Sequence, residues 1–164
     1  MEDTLRRATA DFEKHLASID ELTHVVLKGH LLLEKAINQA IDATFPNPQY
    51  ISKLNFSQKY NLLRAVDVQL HTDPIWDLIA ALNTLRNDVA HSLDSPKTAI
   101  RIESLRQAYF KAASGYERLE DHRSYPDGMI ISAAAALAVG VIIGLRSRGE
   151  SIVLAARVLS SVGE

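Results

Sequence analysis

Apolar residues recur at helical spacing along most of this chain, and breaker residues separate the helical stretches. The periodicity predicts a first helix over about residues 4–17 and a second over about 20–44, which Pro46 and Pro48 end. The apolar face of the second helix comprises Leu22, Val25, Val26, Leu33, Ala36, Ile37 and Ala40. No stretch alternates steadily between apolar and polar residues, so we expect no β-strand.

Three further helices have recognisable start signals. Ser57 is a candidate N-cap for a third helix that runs to about residue 68. Asp73-Pro74 predicts the start of a fourth helix that ends near residue 91, because a capping side chain is followed by proline in the first turn. Ser95-Pro96 repeats that signal and predicts a fifth helix to about residue 120.

Two last helices are predicted over about residues 128–145 and 150–161, with Gly149 as the stop between them. The fold class is therefore all-α. We expect residues 1–164 to form a single-domain bundle of about six to seven helices.

The run 129–145 contains no charged residue and is slightly short of the ~20 residues that normally span a bilayer. Ala136, Gly140 and Gly144 form a small-residue ridge within it, which suits close helix packing in lipid or in a protein core. We expect a central helix enclosed by its neighbours. The alternative is a span or a membrane-surface anchor, and we do not expect a membrane partner.

Composition narrows the function classes. The chain has no cysteine, which excludes disulfides and thiolate metal sites. Its net charge of −2 argues against a nucleic-acid binder that relies on a broad basic surface, although a local basic groove remains open. The charged N-terminus lacks an apolar core, so we expect no secretory signal and a cytoplasmic location.

Arg86 occupies an unusual position on the fourth helix. On a helical wheel it falls in the middle of the apolar arc, beside Ile79. A guanidinium stays charged, so on a packing face it needs a partner, a wet cleft or a subunit interface. Glu34 on the second helix, with His30 one turn before it, is a candidate partner if the two helices are neighbours.

His91 follows five residues after Arg86, where this helix is expected to end. The helix dipole at a C-terminus favours a protonated imidazole. Arginine and histidine near one cleft suit phosphoryl chemistry, because guanidinium binds phosphate and imidazole moves protons near neutral pH. The alternative is purely structural: Arg86 is a paired core residue, and His91 is a polar residue at a helix end.

The segment Arg86-Asn87-Asp88-Val89-Ala90-His91 resembles the signature of the HEPN superfamily, in which an arginine and a polar residue precede a histidine. Residues 27–34 are similar to an earlier bundle helix of some members. The resemblance implies a small helical bundle, with the motif late in a central helix. Many members are metal-independent endoribonucleases of toxin–antitoxin or antiviral defence systems, with a composite site made by two protomers.

Applied to this chain, the resemblance implies that Arg86 holds the scissile phosphate and His91 transfers protons. Asn87 would orient the side chain of Arg86 or of His91. The nucleophile is then the 2′-hydroxyl of RNA, so no cofactor or metal is expected. His30, Glu34 and Asp88 are candidate supporting residues. The implied partners are a second copy of the chain, an RNA substrate, and a cognate antitoxin or regulatory protein.

Other HEPN proteins, such as the mannitol-operon repressor family, act through binding, and a non-catalytic regulatory module is the alternative function. Leu93 stands where one toxin branch has a tyrosine, which disfavours that branch. Candidate RNA contacts on the fifth helix are Arg101, Arg106 and Lys111, although a solvated helix face has the same pattern.

Other chemistries have little support in the sequence. It contains no phosphate-binding loop, no dinucleotide-binding glycine motif, no H-E-x-x-H pair and no G-x-S-x-G nucleophile turn. His30 and Glu34 have metal-ligand spacing on a helix but lack an evident third ligand, so we expect no metal site.

Overall fold

Five α-helices and two short 3-10 helices form the regular structure of the residues that the computed structural model describes, namely 21–91, 97–116 and 119–162. Of residue 91 and residues 150–162, only the backbone is described. The elements in chain order are α1 (Glu21–Thr44), η1 (Pro48–Tyr50), α2 (Phe56–Val66), α3 (Ile75–His91), α4 (Lys97–Ala112), η2 (Leu119–Ser124) and α5 (Asp127–Val162). The predicted all-α bundle is confirmed, whereas the helix predicted over 4–17 lies outside the described residues.

The most extensive helix pair of the bundle is α1 against α5. A Cβ added to Gly29 would lie 3.1 Å from the Cβ of Ala135, so the two backbones approach closely there. Gly149 meets Thr44 at the other end of the pair. Since residue numbers rise together at these two points, α1 and α5 run in the same direction.

The hydrophobic core fills the space between α3 and the helices that pack around it. The apolar arc predicted for α3 is confirmed, because all of its members are buried: Ile75, Leu78, Ile79, Leu82, Leu85 and Val89. Trp76 at the start of α3 is also buried, and its indole N–H donates to the carbonyl oxygen of Leu70 over 2.6 Å. This contact fixes the loop that leads into α3.

The start and end of α2 differ from the prediction. Its N-cap is Asn55 and not Ser57, because Asn55 Oδ1 accepts from the backbone N–H of Gln58 and Gln58 Oε1 accepts from that of Asn55, both at 2.9 Å. This capping box leaves Ser57 inside the first turn. The helix ends at Val66, two residues early, because Asp67 adopts an extended conformation.

The fifth predicted helix is also shorter than expected, since α4 ends at Ala112 and not near residue 120. Gly115 follows with φ of +98°, a left-handed conformation that glycine adopts without steric cost. The chain therefore turns here before η2 begins.

The predicted stop at Gly149 is wrong, because α5 continues through it to Val162 and joins the sixth and seventh predicted helices. A Cβ at Gly149 would lie 2.8 Å from Thr44 Oγ1 and 3.4 Å from the carbonyl oxygen of Ala43. The glycine therefore allows α5 to pack closely against the end of α1 and does not terminate the helix.

We expect the replacement Gly149→Val to lower the free energy of unfolding by about 1–3 kcal/mol, because the added side chain overpacks the contact with α1. Gly128, in the first turn of α5, has no described atom within 4 Å of its added Cβ. The matched variant Gly128→Val should change the free energy by less than about 0.5 kcal/mol in urea denaturation. Equal effects of the two variants would contradict this account of Gly149.

The apolar run in α5 is less enclosed than expected. The stretch Asp127–Gly149 is long and apolar enough to cross a membrane by those two criteria alone, which core helices of soluble proteins also satisfy. Only 39% of the most apolar part of this stretch is buried. The buried face packs on the bundle, whereas Ala136, Gly140 and Gly144 are exposed in the described structure.

Candidate functional site

Arg86 lies on α3 between the buried residues Leu85 and Val89 and is itself only partly buried. Its Nη1 donates to Oδ1 of the neighbouring Asn87 over 3.1 Å. Within the described part of the chain, no carboxylate forms an ion pair with Arg86, so the pair predicted with Glu34 is not formed there. A guanidinium held by a neutral amide keeps donors that an anion can use.

His30 projects from α1 toward α3 and is only 6% exposed. Its Nε2 lies 3.2 Å from Oδ1 of Asn83, and the Nδ2 of Asn83 donates to Ser57 Oγ over 3.2 Å. Because the amide nitrogen is used by Ser57, the amide oxygen accepts from Nε2–H of His30. Asn83 thus links α1, α2 and α3 at one point.

The His30 ring also packs against Phe56, the first residue of α2, with ring centroids 4.3 Å apart. The capping box at Asn55 holds this first turn of α2 in place. The imidazole is therefore fixed both by a hydrogen bond and by an aromatic contact. Its hydrogen-bond partner Asn83 lies one turn before Arg86 on α3.

Burial lowers the pKa of His30 below its ordinary value of 6.5. The hydrogen bond with Asn83 raises this pKa, the positive charge of Arg86 lowers it, and the negative charge of Glu34 raises it. The net shift is downward, so His30 is neutral at pH 7. The charges of both Arg86 and Glu34 therefore act on the imidazole.

This shift predicts a pH dependence of stability. The unfolded chain binds a proton at His30 more readily than the folded chain, so the free energy of unfolding should fall as the pH drops below about 6.5. Above that pH the contribution of His30 is fully present. Urea denaturation between pH 7.5 and 5.5 should therefore show a smaller loss of stability for His30→Gln than for the wild type.

The exposed His24 supplies the matched control for this measurement. The variant His24→Gln should keep the pH dependence of the wild type, because it replaces an exposed side chain and leaves the buried His30 in place. A His30→Gln variant with an unchanged pH profile would show that His30 does not resist protonation in the fold.

The histidine of the Arg–His motif lies at the end of α3. His91 is the last residue of this helix, as predicted, and its side chain lies outside the described structure. Asp88 accepts a hydrogen bond from Arg101 Nε over 2.7 Å and so ties the last turn of α3 to α4. Of the motif, the structure therefore places Arg86, Asn87 and Asp88 in defined contacts.

All three candidate RNA contacts on α4 form ion pairs within the chain. Arg101 pairs with Asp88, as described above, and Arg106 pairs with Asp127 over 2.8 Å. Lys111 pairs with Asp77 over 3.1 Å. An RNA phosphate would have to compete with these carboxylates, so the structure adds no support to an RNA-binding role for α4.

A polar row on α1 extends the site beyond the residues predicted from sequence. His30, Glu34 and Asn38 are spaced four residues apart and so lie on one side of the helix. Asn38 Oδ1 accepts from Nζ of Lys59, a lysine on α2 that is only 9% exposed. The packing of α1 against α2 therefore includes a largely buried polar contact at Asn38.

Sequence reasoning missed the residues that hold His30, namely Asn83, Ser57 and Phe56. The available signal was Asn83, a polar residue one turn before Arg86 near the apolar arc of α3. The sequence around Ser57 predicts a helix cap and gives no signal of its link to Asn83. In the described residues, no three histidine, aspartate or glutamate side chains lie together as a metal site would require.

Comparison with known proteins adds nothing to this geometry. No family model, curated protein or solved structure matches the chain. The residues of the site, together with the resemblance of the Arg86–His91 segment, are therefore the basis for a functional hypothesis.

Proposed function

We propose that the protein is a metal-independent endoribonuclease of the HEPN type, in which Arg86 and His91 act on an RNA phosphate. The observation that carries the proposal is the environment of Arg86. This cation lies on a packing face, its charge acts on the neutral His30, and its described hydrogen bond goes to the amide of Asn87. The oxygens of a phosphate match the geometry of its remaining donors.

The chemistry needs only side chains and the substrate. The 2′-oxygen of a ribose attacks the adjacent phosphorus and loses its proton to a base, while the bond from phosphorus to the 5′-oxygen breaks. That 5′-oxygen gains a proton from an acid, and the products are a 2′,3′-cyclic phosphate and a 5′-hydroxyl. His91 carries out proton transfer, and Arg86 stabilises the charge on the phosphate oxygens.

A single histidine cannot be base and acid in the same instant, so we propose that two copies of the chain form the site across a two-fold axis. Asn87 orients the guanidinium through their hydrogen bond of 3.1 Å. A defence or toxin role in the cytoplasm, restrained by a partner protein, follows from the same proposal.

Incubation of the pure protein with RNA in EDTA tests this proposal. We expect cleavage that persists without divalent cations and leaves 2′,3′-cyclic phosphate ends. The same RNA with 2′-O-methyl groups should stay intact, because its nucleophile is blocked. Intact RNA in every condition would reject the ribonuclease proposal.

The second candidate is a non-catalytic HEPN-type regulatory or interaction module. The ion pairs of Arg101, Arg106 and Lys111 favour it, because they reduce the positive charge that RNA would meet on α4. This candidate is supported if RNA stays intact and a specific protein is bound instead.

A further inference from the structure

An open groove lies between α1 and α5. It has a volume of about 350 Å³, which is within the range of small-molecule sites. Leu32, 53% exposed, forms part of the wall on α1, and Ala136 and Val139 form part of the wall on α5. At 100° per residue, Lys28 in this groove lies about 160° around α1 from His30, so the groove and the His30 ring are on opposite sides of α1. We call this surface the α1/α5 groove.

The walls of the α1/α5 groove are apolar except at one end. None of its nine lining residues is acidic, and the polar side chains among them are His24, Lys28 and Ser132. Because α1 and α5 run in the same direction, with Gly29 beside Ala135, these three side chains lie at the same end of the groove. The other end is formed by Leu32 and Val139 and is apolar. The groove is therefore amphipathic along its length.

The polar end of the groove carries a charge that the fold does not use. Within the described residues, neither Lys28 nor His24 forms an ion pair or a side-chain hydrogen bond, and both are exposed. Ser132 donates its hydroxyl proton to the carbonyl oxygen of Gly128 over 2.9 Å. The ammonium group of Lys28 and the imidazole N–H of His24 are therefore the side-chain donors that a ligand meets there.

A second cavity, beside the ends of α1 and α2, differs in this respect. It has a volume of about 230 Å³, and Asp67 and Arg148 are among the residues that line it. Arg148 donates to Asp67 over 3.0 Å, so the cation of this cavity is already paired within the chain. The charge of Lys28 is thus free for an anionic ligand, whereas that of Arg148 is engaged.

The shape and the charge of the groove together define a class of ligand. The lining residues extend over about 12 Å of α1, from His24 to Leu32, so an elongated apolar group fits along the groove. A single lysine at one end matches a head group with one negative charge. A polyphosphate fits less well, because it brings several charges to one ammonium and the backbone N–H groups beside Lys28 are used within the helix.

We propose that the α1/α5 groove binds one molecule of a free amphiphile that has a carboxylate head and an unbranched alkyl chain. The ammonium of Lys28 binds the carboxylate, and His24 donates a hydrogen bond to it. The alkyl chain lies between Leu32 and Val139, where its burial removes apolar surface from water. This site is separate from the proposed ribonuclease site, and the inference does not depend on that proposal.

Isothermal titration calorimetry of the full chain with dodecanoate, below its micelle concentration, tests the proposal. We expect saturable binding of one molecule per chain. Dodecyltrimethylammonium has the same alkyl chain and the opposite charge, so it should bind at least about tenfold more weakly. A lack of saturable dodecanoate binding, or equal binding of the two amphiphiles, would overturn the proposal. So would binding to anionic phospholipid vesicles without binding of dodecanoate, because the groove would then be part of a membrane-contact surface.

Replacement of the head-group partner should weaken the complex. Lys28→Ala is expected to reduce the affinity for dodecanoate by about tenfold, because the carboxylate loses its ammonium partner. The matched variant Lys53→Ala removes an exposed lysine outside the groove and should change the affinity by less than about twofold. Equal losses in the two variants would show a general effect of charge and contradict the assigned role of Lys28.

Two adjacent leucines of α1 test the wall of the groove. Leu32→Asp places a carboxylate where the alkyl chain lies and should reduce the affinity by at least about tenfold. Leu31, 66% exposed, does not line the groove, so Leu31→Asp adds the same charge to the same helix and should keep most of the affinity. Both side chains are exposed, and circular dichroism with a melting curve shows whether each variant folds. Equal losses in two folded variants would place the ligand outside the groove.

Discussion

Replacement of Arg86 by alanine is expected to reduce RNA cleavage by about 10²- to 10³-fold, the usual cost of removing one preorganised donor to a developing oxyanion. The physical reason is the position of the guanidinium, which is partly buried and has an amide as its described partner. In such a place its interaction with phosphate is stronger than in bulk water. Cleavage under single-turnover conditions in EDTA measures the loss.

Two further variants separate this effect from a general loss of charge. Arg86→Lys keeps the charge but lacks the planar fork, so we expect it to recover only a small part of the activity. Arg101→Ala removes a partly exposed arginine that pairs with Asp88, and it should cost less than about tenfold. If Arg101→Ala is as damaging as Arg86→Ala, then Arg86 has no special role at the phosphate.

Stability must be followed in parallel, because Arg86 lies beside core residues. Removal of its side chain leaves a space near Leu82 and Leu85, and the melting temperature shows how much the fold loses. An Arg86→Ala variant that folds but does not cleave separates a functional role from a structural one. A variant that unfolds is uninformative on chemistry, and Arg86→Lys then provides the comparison.

The fold was predictable because helical periodicity is a strong signal when a helix is long and one face is buried. The apolar arc of α3 and the Asp73-Pro74 start signal illustrate this, since Asp73 Oδ1 accepts from the N–H of Ile75 over 2.8 Å. Gly149 shows the limit. Glycine marks helix ends and close helix contacts alike, and only the position of Thr44 distinguishes the two.

The site was predictable in part, for a related reason. A helical wheel places Arg86 correctly on the packing face because that requires information from one helix only. The links of His30 to Asn83 and of Asn83 to Ser57 join three helices, and no spacing within a single helix reveals them. The predicted Glu34–Arg86 pair depends on two separate wheels, which do not fix how far apart the side chains lie.

Replacement of His91 by alanine has the largest expected effect on RNA cleavage, a loss of about 10²- to 10⁴-fold. The reason is that the variant lacks the side chain that transfers protons. His91 closes α3, one and a half turns after Arg86, where the carbonyl ends of the helix favour a positive charge. The matched control is His71→Ala, which removes an exposed imidazole in the loop before α3.

The two motif variants should fail in different ways if their roles are as proposed. Arg86→Ala should weaken the binding of an uncleavable 2′-O-methyl RNA, because a phosphate contact is lost. His91→Ala should bind that RNA nearly as well as the wild type, because the imidazole acts mainly on protons in the transition state. Cleavage that persists in His91→Ala would exclude His91 as the proton-transfer group, and the neutral imidazole of His30, fixed by Asn83, would then be the next side chain to replace.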